Sequence, residues 1–415
     1  MDSSPCRRRR DCRLCAATDL ERVLQLAPTP PANAFVAPDQ LEVEQQRFPL
    51  DVWLCAACGH TQLLDVVDAG QLFSDYVYVS GTSPTFVAHF QRYAGAVSAA
   101  AGLAPGDLVV DIGSNDGTLL RFFADGGQRV LGIDPAEKIA RQATAGGIET
   151  LPAFFSVALA RQIRGERGPA RAVTANNVFA HVDDLDGVVE GVRALLADDG
   201  LFFFEVSYLL DVVDKLLFDT IYHEHLDYHS VTPLVPFFRK HGMELVDVER
   251  VDTHGGSIRG VARLAAGGPA VSPRVAELVA LEGKRQLGEA APFRELAARI
   301  AQRRDALRGL LAELRGAGKR IAGFGAPAKA TTLMYELGLG RDALEFIADD
   351  SPLKQHLFTP GLHVPVLPSS AIEERRPDYL LVLAWNFAAA IVAKHPQFSK
   401  AGGHFIVPLP ELEVI

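Results

Sequence analysis

The densest group of chemistry-bearing side chains is IYHEHLDYHS, Ile221 to Ser230. It sets His223, His225 and His229 beside Tyr222, Glu224 and Asp227. An imidazole with an ordinary pKa of about 6.5 trades protons at neutral pH, so such a cluster suits acid–base work. A histidine of the cluster is the natural base, with Tyr222 and Glu224 placed to orient a substrate or to stabilise developing charge. A zinc hydrolase would instead need H-E-x-x-H on one helical face. His223 and His225 are only two apart; His225 and His229 have the right interval but no third ligand is signalled. A metal pair and a merely polar loop therefore stay as rival readings. A second chemistry-bearing set is CRLC (Cys12, Cys15) with CAAC (Cys55, Cys58). Four soft sulfurs in two knuckles suit tetrahedral Zn²⁺, and with every position taken by cysteine no site is open to water. The expected zinc is structural; a redox dithiol would want a βαβ context, and unpaired thiols are the other alternative. Cys6 is left over as a free thiol.

The elements that must carry these groups read as three α/β segments. In GDLVVDIGSNDGTLLRFFADGGQRVLGIDPA, Leu108–Ile112, apolar but for Asp111, is a buried strand, followed by a turn holding Gly113, Ser114 and Gly117 and then a helix. A second buried strand ends at Asp134, placed to hold ribose hydroxyls. The turn lacks G-x-G-x-x-G and sets Asp111 and Asp116 about it, which would repel a pyrophosphate. A cationic, phosphate-free adenosine, S-adenosylmethionine, fits better, with S-adenosylhomocysteine as product; a nicotinamide cofactor fits poorly. Asn177 and His181 follow a third strand, and Glu205 ends a fourth. Ligands of open α/β sheets sit beyond the carboxyl ends of strands, so Asp111, Asp134, Asn177, His181 and Glu205 are expected on one rim.

The expected divisions are a zinc-binding domain over 1–75 and a methyltransferase domain over 76–272. A helical connector over 273–317 leads to a smaller, mostly parallel α/β domain over 318–415. In the last, GFGAPAKA is a strand, glycine turn and helix start whose amides and Lys329 would grip phosphate; a helix start that merely packs is the alternative.

The 51 acidic against 41 basic residues, a net charge of −10, argue against nucleic-acid binding as the main task. The basic RRRRDCR is expected to be a solvated tail, with a phosphate contact as the alternative. No apolar run is long enough to span a bilayer and no secretory leader is evident, so a soluble cytoplasmic protein, monomeric and without a membrane partner, is expected.

The two cysteine knuckles, DIGSNDGTLL, IYHEHLDYHS, THGGSIRG and GFGAPAKATT…ADDSP…LAWNF together resemble the nucleotide-sugar C-methyltransferases of deoxysugar antibiotic pathways. The resemblance covers essentially the whole chain. It is strongest to the branch that methylates C-3 of a dTDP-linked 3-amino-4-keto-2,3,6-trideoxyhexose on the way to D-tetronitrose. It implies zinc at Cys12, Cys15, Cys55 and Cys58, and a methyl-donor site at Asp111, Gly113 and Asp134. It further implies a sugar pocket of Tyr76, His181, Tyr222, Glu224 and His225 with His225 as base, and nucleotide held by the C-terminal domain. Rival functions are O- or N-methylation of another small metabolite, or a zinc-ribbon nucleotide- or RNA-binding protein with an inactive methyltransferase core.

Overall fold

The structure, a computed structural model, describes residues 5–73, 81, 84–265 and 270–415. Tyr76 lies outside these residues.

The N-terminal region is built on antiparallel strands Leu20–Thr29, Phe48–Cys55 and Thr61–Leu63. Both knuckles flank this ribbon and share one turn. Ala16 N–H donates to the Cys12 carbonyl at 2.9 Å and Gly59 N–H to that of Cys55 at 2.8 Å, with Ala16 and Gly59 both at positive φ. The turns bring all four sulfurs within 4.8 Å of one another. Cys12 and Cys58 are 3.6 Å apart, Cys15 and Cys55 3.5 Å. A zinc tetrahedron with bonds of about 2.3 Å has sulfur–sulfur edges of about 3.8 Å, so this donor set fits zinc. The fourth strand of the ribbon is not local: Asp227–Tyr228, from the histidine-rich loop, pairs with Thr61 and Gln62.

The central sheet has seven strands. Thr150–Leu151, Arg129–Ile133, Leu108–Ile112, Ala170–Asn176 and Leu196–Ser207 run parallel, and the hairpin Met243–Val251 with Ser257–Leu264 adds an antiparallel edge. Leu108–Ile112 is buried on both faces, which explains why it is apolar at every position but Asp111. Val109 packs with Tyr93, Leu120 and Phe123 of helices Pro84–Ala101 and Thr118–Asp125. Val110 and Ile112 face the core that includes Ile163 and Val189 of helices Val157–Arg167 and Leu185–Leu195. Each such side chain contributes roughly 1.5–3 kcal/mol of burial free energy.

The connector is two helices, Pro273–Arg285 and Ala291–Gly316; Gln286, in the left-handed conformation, ends the first. The C-terminal sheet orders Val366–Leu367, Ile347–Ala348, Ile321–Phe324, Tyr379–Val382 and His404–Val407 in parallel, with Glu413–Val414 antiparallel at its edge. The basic N-terminal run is not a solvated tail. Arg8 pairs with Asp65 at 2.7 Å, while Arg7, Arg9 and Arg13 converge on Asp183. Among the described residues no helix is long and apolar enough to cross a membrane.

Because the sulfurs close two distant turns, Cys55→Ser is expected to release zinc and lower the melting temperature of the N-terminal region, leaving methyl-donor affinity measurable. Metal analysis of the unaltered protein is the check; a preparation without zinc that is fully folded would refute it.

Candidate active site

A cavity of about 940 Å³ opens at the carboxyl ends of the central parallel strands. Asp111, Gly113, Ser114, Asp134, Asn177 and His181 line it, as the strand topology requires. Gly113 has φ +70°, and a Cβ there would stand 2.2 Å from Val178 Cγ2, so only glycine makes this turn. Asp134 accepts from Asn115 N–H at 2.9 Å and Ala136 N–H at 2.8 Å, which fixes its carboxylate at the strand's end. Asp111 accepts from Thr174 Oγ at 2.6 Å. Burial pushes Asp111 up to about 7, Thr174 opposing and Asp134 adding to the rise; burial also raises Asp134. Among the described residues, buried Ser114 Oγ has no hydrogen-bond partner. Two desolvated acids beside an unpaired hydroxyl make a site for a polar cation, and the residues fit S-adenosylmethionine.

Gly117, Glu205 and Glu224 are not among the lining residues. Gly117 is the left-handed residue before helix Thr118–Asp125, where a Cβ would meet Ile148 at 2.8 Å. Asp116, just before that glycine, accepts at Oδ1 from Thr118 Oγ at 2.7 Å and Thr118 N–H at 3.2 Å. Glu205 lies inside a strand that continues to Ser207, and its carboxylate is consumed below the rim. Arg259 approaches at 2.9 Å, His89 at 2.8 Å and Thr253 Oγ at 2.8 Å. Burial raises its pKa, but His89 and Arg259 outweigh that and hold it below the usual range. Sequence periodicity marks a strand's end but not which way its last side chain points.

The histidines separate into two kinds. His223 and His229 are fully buried, hydrogen-bonded to the carbonyls of Phe48 and Phe179, and burial lowers each to about 4. His229 stacks on Phe179, with ring centroids 5.1 Å apart. These two rings hold structure, and among the described residues no group of three or more potential metal ligands includes a histidine. His225 and Tyr222 line the cavity, their rings 4.1 Å apart, and His181 stands 4.8 Å from His225. His225 Nδ1 meets the Thr220 carbonyl at 2.7 Å. A carbonyl only accepts, so Nδ1 carries the proton and Nε2 is the basic nitrogen of the neutral ring.

Glu224 sits one layer behind the wall. Its Oε1 accepts from Asn33 Nδ2 at 2.9 Å; burial lifts it to about 7, with Asn33 and Lys354 opposing. Asn33 and Lys354 are lining residues that sequence reasoning missed, since a lone Asn in PTPPANAF and a Lys in DDSPLKQ carry no spacing signal. Lys329 does line the cavity, 3.1 Å from Asp219 and 4.6 Å over the Trp385 ring. The amide cradle before it is partly closed: Asp349 accepts from Ala326 N–H at 2.6 Å.

A Rossmann-type sheet with an acid-lined donor rim, a Cys₄ knuckle and paired imidazoles defines an S-adenosylmethionine-dependent methyltransferase. Residues 12–73 match the model of a zinc binding domain, 87–248 a methyltransferase domain, and 252–410 the C-methyltransferase C-terminal domain. C-methyltransferase NovU from Streptomyces niveus is 39% identical over 409 residues, covering 98% of this chain and 96% of that protein. The chain belongs to this family of S-adenosylmethionine-dependent C-methyltransferases. A ubiquinone biosynthesis O-methyltransferase from Burkholderia thailandensis is 27% identical over 36% of this chain and 70% of its own. Among solved structures, the magnesium protoporphyrin IX methyltransferase ChlM from Synechocystis PCC 6803 is similar with a TM-score of 0.33 and 17% identity. It covers 43% of this chain and 81% of that one.

A carboxyl whose pKa is raised by folding stabilises the fold when protonated. That stability is present below the ordinary 3.8 and is lost as pH rises through about 7. Donor-free Asp111→Asn is therefore expected to melt higher than the unaltered protein at pH 8 and alike at pH 4, while binding donor more weakly. Equal melting curves at pH 8 would refute the assignment.

Proposed function

We propose that the enzyme methylates C-3 of a dTDP-linked 3-amino-4-keto-2,3,6-trideoxyhexose, with His225 as general base. The observation that carries this reading is the Nδ1 contact of His225 to Thr220, which leaves Nε2 as the base beside a second imidazole and a phenol. Such a trio suits a carbon acid. A C-4 ketone acidifies the hydrogen on C-3; His225 takes that proton, and the electron pair moves onto the C-4 oxygen. His181 or Tyr222 donates to that oxygen, the kind of pre-aimed stabilisation that is often the largest catalytic term. Bound S-adenosylmethionine supplies the electrophilic methyl group.

Asp111, Ser114, Asp134 and Asn177 would hold the donor. Glu224 reaches the sugar through Asn33, and Asn33 or the acid behind it would orient the 3-amino group. Lys329 and Lys354 bring positive charge to the C-terminal wall, where the nucleotide would lie. Tyr76 would complete the sugar pocket. The division of labour would follow a zinc-binding part at 1–75, a donor-binding part at 76–272, a connector at 273–317 and a nucleotide-binding part at 318–415.

General-base catalysis is worth on the order of 10² to 10⁴ in rate. His225→Asn is expected to lower kcat by about that factor with donor affinity unchanged, and to suppress exchange of the C-3 hydrogen into deuterated water without donor. Incubation with donor and a panel of dTDP-4-keto sugars, followed by NMR, identifies the methylated atom. A methyl group on oxygen or nitrogen would refute the proposal.

A further inference from the structure

The two imidazoles of the cavity come from separate loops, and something must fix their spacing. His181 follows strand Ala170–Asn176 of the central sheet, whereas His225 belongs to the loop joined to the N-terminal ribbon. Each imidazole is followed two residues later by an acid, Asp183 and Asp227 respectively. Both acids face one guanidinium, that of Arg13, the residue between zinc-ligand Cys12 and Leu14.

Arg13 has a fully buried side chain. Its Nε donates to Asp183 Oδ1 at 3.0 Å and lies 3.8 Å from Asp227 Oδ2. Its Nη1 donates to Gln62 Oε1 at 3.0 Å and to the Leu63 carbonyl at 2.6 Å. Those two residues belong to the strand on which Asp227–Tyr228 pairs. The loops also meet directly, since the Ala180 carbonyl accepts from Leu226 N–H at 2.8 Å and Asp227 N–H at 3.1 Å. His60, two residues after Cys58, holds Asp227 Oδ1 at 2.7 Å.

We propose that Arg13 is a positioning residue for methyl transfer. Clamped in the first cysteine knuckle, it ties the loop bearing His181 to the loop bearing Tyr222 and His225. The zinc domain is on this view a frame for the reacting groups, beyond serving its own stability. The chemical consequence rests on the roles proposed above for His181 and His225. Without the guanidinium, buried Asp227 is left with His60 and partly buried Asp183 with Arg7 and Arg9, and the one cation common to both loops is gone, so the loops would drift apart or rearrange. Misplacing reacting groups by about 1 Å costs on the order of 10²-fold in rate.

Arg13→Met is expected to keep its zinc and its donor affinity while kcat and C-3 hydrogen exchange with a dTDP-4-keto sugar both fall on the order of 10²-fold. Arg13→Lys keeps the charge but not the planar fork, so it should recover only part of the rate. In protein labelled with ¹⁵N-histidine, Arg13→Met should shift the His181 and His225 resonances and leave those of His363 and His404 in place. Asp183→Asn, outside both knuckles, should shift the same two resonances and serves if Arg13→Met does not fold. Unmoved resonances with full kcat in a folded variant would overturn the proposal. So would a loss of donor affinity and melting temperature as large as the loss in kcat, which would make Arg13 merely structural. If the unaltered enzyme shows no exchange, the carbon-acid reading fails, and the histidine resonances alone decide the role of Arg13: shifted they support it, unmoved they refute it.

Discussion

The structure turns on a strand of two residues. Asp227–Tyr228 adds to the edge of a ribbon by pairing with Gln62 and Thr61, about 165 positions earlier in sequence, so the contact closes a long loop. The pairing inserts the histidine-rich loop into the zinc-bearing ribbon. Backbone hydrogen bonds alone would be a weak anchor for so short a strand. Side chains make up the difference: Asp227 is fully buried yet paired with His60 and faced by Arg13, while Tyr228 fills the space beside it. An acid buried there without those partners would be destabilising, so loop and knuckles are interdependent. The register of the pairing then decides which imidazoles are entombed and which face the cavity. His223 and His229 go inward on their backbone carbonyls, leaving His225 at the wall.

Charge in the cavity is arranged against its own stability. Asp111 and Asp134 are desolvated at one end, and Glu224 behind Asn33 at another, each held above the usual carboxylate range by burial. By contrast Glu205, equally buried, is matched by Arg259 and His89 and held below it. The difference sets the acids of the proposed site apart from one matched within the fold. A paired acid is satisfied by the fold; an acid whose burial is not offset by its neighbours gains from a ligand that brings a cation. A sulfonium and an α-amino group are such a ligand.

Much of the architecture was legible in the residues. The stretch Leu108–Ile112, apolar but for Asp111, the glycine turn after it and the acid at Asp134 specify a strand–turn–helix–strand unit through burial and φ, and the structure has it within a residue. The cysteine spacing specifies two identical turns. What was not legible is what depends on orientation or on distant partners. Glu205 stands in the right strand, yet its side chain points below the sheet toward Arg259. Glu224 is expected in the sugar pocket beside His225 and Tyr222, but the structure sets it behind Asn33. The arginines at the start of the chain look like a solvated run until Asp183 is found opposite them. No local pattern announces a partner 170 residues away.

The cavity is closed by pieces that no single domain owns, and this bears on the chemistry proposed for it. Val36 and Phe358 form an isolated bridge, Thr331 Oγ donates to the Ala32 carbonyl at 2.9 Å, and Thr332 Oγ donates to that of Ile221 at 2.7 Å. The first and last domains are thus stitched to each other and to the histidine loop, over the carboxyl edge of the central sheet. A carbanion-like carbon competes for its electrophile with every proton donor in reach, so it survives only where water is scarce and donors are aimed at oxygen. Oxygen or nitrogen nucleophiles face a milder version of that problem, and a donor-binding sheet with a small cover can serve them. Three interlocked domains around one imidazole pair would suit the proposed carbon methylation, because its groups would have to be in place before the proton leaves.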